Sequence, residues 1–248
     1  MKRNIPQKLF TFLKREGLLG SLKKSAKYMS FIKRRRAYRD MLEITDVKSR
    51  FEKIYTENLW GNSASVSGIG SNLEATKNLR SKLPKLISRL NIKTILDVPC
   101  GDFYWMQTVL SDVQDVKYHG GDIVSKLVES NLKKYRSESV DFSVIDLRFD
   151  PLPDAELIIV RDCLFHLSFD DIHSVKENLQ KSNIRFILTT NHILDEHFEN
   201  TDIKTGDFRL IDIFKEPLSF RGPVLERIDD YSGSDTQREM CLLEVIKI

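Results

Sequence analysis

The chain has 248 residues, 41% hydrophobic and 30% charged, which is enough for one large soluble α/β domain with an appendage. This composition excludes a disordered chain, and no run approaches the roughly 18 apolar residues of a membrane span. Residues 1–40 carry thirteen Lys or Arg and two acids, whereas the rest carries 26 basic and 34 acidic residues. The acidic body excludes a uniformly basic nucleic-acid-binding face and places any polyanion contact in the first forty residues.

Residues 1–45 are predicted to form a basic amphipathic arm, in which apolar residues recur at largely helical spacing and are interrupted near Gly17 and Gly20. Such a segment can lie in an anionic membrane interface, contact a lipid carrier or nucleic acid, or pack as an ordinary helix on the body. All three alternatives stay open here, with nucleic acid the least favoured. The N-terminus lacks the apolar core of a secretory signal. We therefore expect a cytoplasmic protein, peripheral to the inner face of a membrane if residues 1–40 bind lipid.

Residues 46–92 are predicted to form a helical lid, with helices at both ends of a Gly/Ser-rich loop that runs from Trp60 to Ser71. The loop is either a flexible connector or a cover whose backbone amides and hydroxyls face a ligand. Ser71 or Asn72 is a candidate cap for the following helix. Leucines recur in that helix at helical spacing: Leu73, Leu79, Leu83 and Leu86.

Residues 93–248 alternate between strand-like and helix-like segments, which indicates a buried parallel sheet with right-handed crossovers. The predicted strands are Lys93–Val98, Val116–Ile123, Val140–Leu147, Glu156–Arg161, Ile184–Thr190, Val224–Asp229 and Met240–Ile248, and the predicted helices include Ser125–Tyr135 and Phe169–Gln180. A turn at Ser232–Asp235 joins the last two strands in a hairpin. We predict a Rossmann-like, doubly wound, mostly parallel seven-stranded sheet with an antiparallel C-terminal edge strand and an N-terminal helical extension.

The three cysteines, Cys100, Cys163 and Cys241, lie far apart and form no C-x-x-C pair. This spacing predicts small buried residues in a reducing compartment, and no group of metal ligands is evident.

The segment Thr94–Met106 is the most informative in the chain. A short apolar run ends at Asp97, a tight turn through Pro99 and Gly101 follows, and a helix-like segment comes next. Ligands of open α/β sheets bind at such strand–loop–helix junctions. Two of the three glycines of a dinucleotide fingerprint are absent, so a pyrophosphate would be poorly held. The loop instead favours a nucleoside ligand without phosphates, such as S-adenosylmethionine, over a nicotinamide dinucleotide.

Three acids fall at the predicted carboxyl ends of the first three strands, at intervals of 25 and 24 residues: Asp97, Asp122 and Asp146. Asp122 is placed to accept hydrogen bonds from ribose hydroxyls, as in other nucleoside-binding α/β folds. Asp146 is a candidate partner of an adenine amino group, and Asp97 of the ligand's ammonium group. One such acid alone is more often a strand-end or helix cap, whereas three in register favour a ligand site.

With these motifs, the chain resembles class I S-adenosylmethionine-dependent methyltransferases over about Lys93–Thr190. It is similar, more narrowly, to a branch with an Asp-x-Pro-Cys-Gly-Asp-Phe cofactor loop. The similarity to that branch extends over most of the chain after residue 50 and includes Trp60–Gly61, Ser67–Ser71, Arg161–Leu167, Asp202–Ile203 and Gly206–Arg209.

The resemblance implies a set of cofactor-binding residues. Asp97 and Gly101 would frame the methionine part, Asp122 and Ile123 the ribose, and Asp146 with Leu147 the adenine. The full implied set is Trp60, Asp97, Pro99, Gly101, Asp122, Ile123, Asp146, Leu147, Arg161 and Asp162. Pro99 and Phe103 depart from the superfamily's glycines, and Phe103 is expected to narrow the space beside the loop.

A hydroxyl acceptor benefits from a base that removes its proton. The candidates are Asp162 and His166 after the fourth strand and His192 after the fifth. The alternative for both histidines is a structural role. Three polar residues between the fifth strand and the hairpin shape either an acceptor pocket or a solvated loop: Asp202, Asp207 and Arg209.

The fourth strand ends in Arg161–Leu164, without the Asn/Asp-Pro-Pro-Tyr/Phe run of enzymes that methylate adenine or glutamine nitrogens. We therefore expect S-adenosylmethionine-dependent methyl transfer to a hydroxyl of a glycan or small molecule. The alternatives are an RNA methyltransferase that uses the basic arm and a methyltransferase-like scaffold without activity.

Overall fold

The computed structural model describes residue 29 and residues 32–60, 64–230 and 236–246. The residues outside this part of the chain are most of the predicted basic arm, residues 61–63 of the Gly/Ser-rich loop, all of the predicted turn Ser232–Asp235 and the last two residues.

A seven-stranded sheet forms the centre of the protein and confirms the predicted architecture. Its strands run in the order β3-β2-β1-β4-β5-β7-β6. Strands β1 to β5 pair in parallel, and β7 pairs antiparallel with both β5 and β6. The antiparallel strand β7 thus lies between β5 and the edge strand β6. The strands are β1 Thr94–Asp97, β2 Lys117–Asp122, β3 Val140–Val144, β4 Leu157–Val160, β5 Phe186–His192, β6 Val224–Asp229 and β7 Arg238–Glu244.

Helices cover both faces of this sheet, and two apolar clusters, one on each side, form the core. All four residues of β4 are buried, which explains its continuous apolar sequence. Described residues 32–42 form helix α1. The others are α2 Val47–Thr56, α3 Lys77–Arg89, α4 Met106–Leu110, α5 Ser125–Tyr135 and α6 Phe169–Lys181, with 3₁₀ turns at Ile69–Ser71 and Leu164–His166.

Several local predictions were wrong at element ends. Strand β7 spans Arg238–Glu244 rather than Met240–Ile248. Strand β3 ends at Val144 rather than Leu147, because a turn begins at Asp146, whose carbonyl accepts hydrogen bonds from Phe149 and Asp150. Leu73 does not belong to α3: it precedes the helix and is exposed. The prediction of Ser71 or Asn72 as the helix cap was also wrong, because the N-cap of α3 is Thr76. Asn72 Oδ1 instead accepts a hydrogen bond from the Ala75 N–H at 2.7 Å, in the turn before the helix.

Phe103 occupies a position of the loop after β1 at which the resembling superfamily usually has glycine, and its conformation explains how a larger residue fits there. Its φ is +58°, in the left-handed region that favours glycine, and its side chain is buried. The ring packs in the core against Tyr118, Tyr135 and Phe142, with centroids 5.0 to 5.2 Å away. The expectation that Phe103 narrows the ligand space was wrong, because this aromatic cluster holds the ring away from the loop's open side.

Replacing Phe103 with alanine is expected to destabilise the fold by about 3 to 5 kcal/mol, because the substitution empties the centre of the aromatic cluster. Urea unfolding of the purified variant measures this change. The matched control is Phe149→Ala, since Phe149 is 64% exposed and its truncation should change the free energy of unfolding by about 0.5 kcal/mol or less. Equal effects of the two substitutions would contradict the assigned role of Phe103.

Candidate active site

A cleft of about 1060 Å³, counting the part open to solvent, lies at the carboxyl ends of β1, β2 and β4. Parallel strands place their loops at one edge of the sheet, so residues distant in sequence meet there. All ten predicted cofactor residues line this cleft, together with His166: Trp60, Asp97, Pro99, Gly101, Asp122, Ile123, Asp146, Leu147, Arg161 and Asp162.

Two buried carboxylates dominate the floor of the cleft. Asp97 Oδ2 accepts a hydrogen bond from Tyr118 Oη at 2.7 Å. Asp122 accepts hydrogen bonds from the backbone N–H groups of Gly101 (3.2 Å) and Val124 (3.0 Å). Burial raises the pKa of Asp97 to about 7 and that of Asp122 to about 6. Neither carboxylate forms an ion pair with a side chain in the part of the chain that the structure describes.

Gly101 is required where β1 turns toward α4. Its φ is +57°, and a Cβ atom there would collide with Ser67 Oγ of the Gly/Ser-rich loop. Its carbonyl accepts a hydrogen bond from Asn131 Nδ2 at 2.8 Å, so α5 holds the turn from below. The absence of a side chain thus lets two loops and the ligand cleft meet at one point.

Residues 64–71 are docked on this turn and contribute to the wall of the cleft. Asp102 accepts hydrogen bonds from Ser65 Oγ at 3.0 Å and from the Val66 N–H at 3.1 Å. The Asp102 N–H in turn donates to Ser67 Oγ at 3.0 Å. Four residues of two distant segments therefore form one hydrogen-bonded unit, which favours the cover over the flexible connector.

Arg161 fastens the other end of the same loop. The guanidinium forms a bidentate pair with Asp230, at 2.9 and 3.0 Å, and Nη2 donates to the carbonyl of Gly70 at 2.9 Å. It also lies over the ring of Trp105, 5.4 Å from the centroid. Arg161 was predicted to contact cofactor, and although it lines the cleft, its hydrogen bonds serve the loop and the hairpin.

Asp162 lies between two cations. Its Oδ2 is 3.3 Å from Arg161 Nη1 and 3.2 Å from Arg238 Nη2. Burial would raise its pKa, but these two arginines outweigh burial and lower it. A carboxylate held in its ionised form is a weak proton acceptor, so this environment disfavours Asp162 as a general base.

Asp146 also has a partner within the protein. Arg148 donates to both oxygens of its carboxylate, at 2.9 and 2.7 Å, and reaches Asp171 at 2.8 Å with Nη1. The contact of Asp146 with an adenine amino group stays a prediction, and such a contact would compete with this ion pair.

His166 has the arrangement expected of a base. Its Nδ1 is 2.7 Å from the carbonyl oxygen of Asp207, which accepts only if Nδ1 carries the proton. Within the described ranges, Nε2 has no hydrogen-bond partner, so it is free to accept a proton. Burial lowers the pKa of His166 and keeps the ring neutral. The ring stacks on Trp60, with centroids 5.2 Å apart, and both residues line the cleft.

The structure does not bring His192 to the cleft. The side chain is buried at the end of β5, and Nδ1 accepts a hydrogen bond from the Ile211 N–H at 3.2 Å. Burial, with Arg238 nearby, lowers its pKa to about 4. Arg209 is buried above the ring of Phe169 and does not line the cleft.

Sequence patterns gave no indication of several residues at the site. Helix α2 contributes a largely apolar and aromatic wall, and Cys163 completes the lining after β4. The residues from α2 are Val47, Phe51, Ile54 and Tyr55. Their helical spacing of three and four residues marks an apolar face, which did not distinguish a cleft wall from core.

Neither a metal site nor a membrane-spanning helix is found among the described residues. No group of three or more His, Cys, Asp or Glu side chains is arranged to hold a metal ion in this part of the chain. None of the helices there has the length and apolar character needed to cross a bilayer.

Asp97 and Asp122 should make the stability of the ligand-free protein fall as pH rises. Their pKa values of about 7 and 6, against an ordinary 3.8, mean that the folded state binds more protons than the unfolded state. Their stabilising contribution is complete below pH 3.8 and is lost as pH rises through 6 and 7. The lowered pKa values of His119, His166 and His192 act in the opposite direction, so comparison with Asp97→Asn isolates the contribution of Asp97. We expect the melting temperature of the wild type to fall relative to that of Asp97→Asn between about pH 4 and pH 7. Parallel curves for the two proteins would contradict the assignment to Asp97.

No protein-family model matches the chain, and no curated protein sequence matches it. Several solved structures are similar to it. The magnesium protoporphyrin IX methyltransferase of Synechocystis PCC 6803, crystallised with bound SAH, is 10% identical with a TM-score of 0.51, over 69% of this chain and 84% of that one. The PH0226 protein of Pyrococcus horikoshii OT3 is 14% identical with a TM-score of 0.50, over 71% and 93%. Human N-acetylserotonin methyltransferase, in complex with SAM, is 14% identical with a TM-score of 0.46, over 76% and 65%. The chain thus spans about two thirds of the human enzyme's length. The similarity to the Synechocystis enzyme shows that the chain shares the Rossmann-like fold of that methyltransferase.

Proposed function

We propose that the protein transfers a methyl group from S-adenosylmethionine to a hydroxyl group of a small molecule or glycan. The observation that carries the proposal is the pair of buried acids, Asp97 and Asp122, beside the turn at Gly101. Burying carboxylates costs free energy unless a cation or hydrogen-bond donors compensate. A ligand with a positive sulfur, an ammonium group and two ribose hydroxyls brings both.

The residues present fit this cofactor. Asp122 ends β2, the position at which nucleoside-binding α/β folds hold a ribose, and Asp97 ends the neighbouring β1. Gly101 lies directly beside Asp122, to which its backbone N–H donates a hydrogen bond. The similar Synechocystis enzyme was crystallised with SAH, which supports the same ligand class here. When bound, the cofactor supplies a methyl group already activated by its positively charged sulfur.

His166 is the residue that we propose as general base. Its unprotonated Nε2 would accept the hydroxyl proton of the acceptor, while Nδ1–H stays bonded to the Asp207 carbonyl. His166 lies on the loop after β4, and its ring and that of Trp60 are stacked, which fixes the ring plane. Asp162, in contrast, would keep the neighbouring arginines in place.

The largely aromatic wall formed by α2 is suited to binding a flat ligand at this site. Phe51 and Tyr55 present aromatic surface to the cleft, and Trp60 continues it. Aromatic surface of this kind packs against an adenine ring or against the apolar face of an acceptor ring.

Two competing functions have less support. A nicotinamide oxidoreductase needs a glycine-rich phosphate loop, and this loop carries Pro99 and Phe103 instead. A scaffold without cofactor would gain stability by replacing Asp97 and Asp122 with neutral residues, because neither forms an ion pair within the described residues and burial raises the pKa of both.

Replacing Asp122 with alanine is expected to weaken S-adenosylmethionine binding by about 1.5 to 3 kcal/mol, or roughly 10- to 150-fold, because charged hydrogen bonds are lost. Calorimetric titration of the wild type and the variant measures this. The matched control is Asp112→Ala, an exposed acid at the end of α4 that should leave the affinity unchanged. Unchanged affinity in Asp122→Ala would remove Asp122 from the cofactor site.

We propose, second, that the protein binds an anionic lipid surface through α1. The inner side of α1 packs on α2 and Trp60 through residues that include Ala37, Tyr38, Met41 and Leu42. The outer side exposes basic residues, and the apolar Ile32 is 43% exposed beside them. Cationic and apolar groups on one helix face suit an anionic interface. An RNA acceptor is the competing interpretation of the same charges.

Reversing three charges, with Lys33, Arg35 and Arg39 changed to Glu, tests this surface. Each basic residue near an anionic bilayer contributes about 1 kcal/mol, so binding to vesicles that contain phosphatidylglycerol should fall at least about tenfold. Co-sedimentation measures the bound fraction, with phosphatidylcholine vesicles as the uncharged reference.

The control carries the same change at three exposed lysines of α3: Lys77, Lys82 and Lys85. It should bind like the wild type. Equal loss in both variants would show that only net charge matters, and tight, salt-sensitive RNA binding without vesicle binding would favour the RNA acceptor.

A further inference from the structure

The segment Thr205–Asp207 connects the N-terminal helices to His166. The Gly206 N–H donates to the carbonyl of His166 at 2.7 Å, and the Asp207 carbonyl accepts from His166 Nδ1. The Arg209 N–H donates to the carbonyl of Phe165 at 3.2 Å. The geometry of the proposed base thus depends on where this segment lies.

Helix α1 holds the segment through one side chain. Tyr38 Oη donates to Asp207 Oδ1 at 2.8 Å and lies 3.4 Å from the carbonyl of Gly206. The same Asp207 oxygen accepts from the Phe208 N–H at 2.8 Å, which fixes the carboxylate relative to its own backbone. Burial and the neighbouring Asp207 raise the pKa of Tyr38, so the hydroxyl stays protonated and keeps donating.

Helix α2 supports the same segment from a second direction. Arg50 is buried and donates from Nη1 to the Thr205 carbonyl. Gly206, with φ of +97°, packs so closely on the Arg50 side chain that a Cβ atom would lie 2.7 Å from its Cδ. Arg50 also bonds the Ile44 carbonyl between α1 and α2, so the two helices and the segment form one unit.

We infer that Tyr38 is a positioning residue for His166: it fixes the Asp207 carbonyl that keeps the proton on Nδ1 and leaves Nε2 unprotonated. The inference rests on the proposed function only in calling His166 the base. The helical extension is therefore part of the active-site architecture.

The groups around His166 leave this carbonyl as its only hydrogen-bond acceptor within the described residues. The nearby charges of Asp162 and Asp207 favour a protonated ring, whereas burial, foremost, and the charge of Arg209 oppose it. Trp60 and Phe165 cover the ring with apolar surface. The tautomer of a neutral imidazole is determined by which ring nitrogen has a hydrogen-bond acceptor. Displacement of the Asp207 carbonyl should therefore change the populations of the two His166 tautomers.

The test is the nitrogen NMR spectrum of the imidazoles in the full chain, with His166 assigned from the His166→Gln variant. The wild type should show His166 protonated on Nδ1. Tyr38→Phe removes one hydroxyl, and the fraction protonated on Nε2 should rise by roughly two- to tenfold, as expected for loss of one hydrogen bond. Asp207→Ala, which removes the other partner of that bond, should give the same change.

The matched control is Tyr135→Phe, a tyrosine that packs on Phe103 in the core cluster that does not contain Phe165, the neighbour of His166. It should leave the His166 signals unchanged. Wild-type tautomer populations in both Tyr38→Phe and Asp207→Ala would overturn the inference. Calorimetry with S-adenosylmethionine separates the two claims. Tyr38→Phe should bind it like the wild type, whereas failure of the wild type itself to bind would contradict only the proposed function.

Discussion

The buried guanidinium of Arg161 is the interaction on which the cleft depends. It pairs with Asp162 and Asp230, both of which Arg238 also contacts, and it donates to the carbonyl of Gly70 and lies over Trp105. A buried cation is stable only when it is paired and fully hydrogen-bonded, and strand β4, the loop and the hairpin each supply one of its partners. The loop over the cleft, the end of β4 and the sheet edge are thereby fixed relative to one another.

The negative charges next to this pairing are not balanced in the same way. Asp97 and Asp122 lie on the neighbouring strands without a counter-ion of their own within the described residues, and burial raises the pKa of both. Ordinary core packing gives no reason for two such acids at adjacent strand ends. A cationic nucleoside ligand gives one, because its positive charge and its hydroxyls replace the water that the carboxylates lost. The floor of the cleft therefore costs stability in the free protein and favours ligand binding.

Structural features that follow from local, repeating sequence patterns could be predicted. Buried strands show continuous apolar runs, and strand-end acids in parallel strands must share one edge, so the sheet and the cleft position of Asp122 could be predicted. Contacts between distant segments could not, as for Tyr38 with Asp207, which are 169 residues apart. Phe103 shows a second limit: its side chain looked like an obstruction, because its left-handed backbone and the aromatic cluster around it have no local pattern. His192 follows the same rule, since a strand-end histidine does not reveal which way its ring packs.

Calorimetric titration with S-adenosylmethionine at about pH 6.5, in buffers that differ in ionisation enthalpy, tests the central claim most directly. At that pH a part of Asp97, with its pKa of about 7, is protonated in the free protein. Binding of a cation beside it should therefore release protons, and NAD should not bind. Absence of S-adenosylmethionine binding in the folded protein, or binding without proton release, would contradict the account.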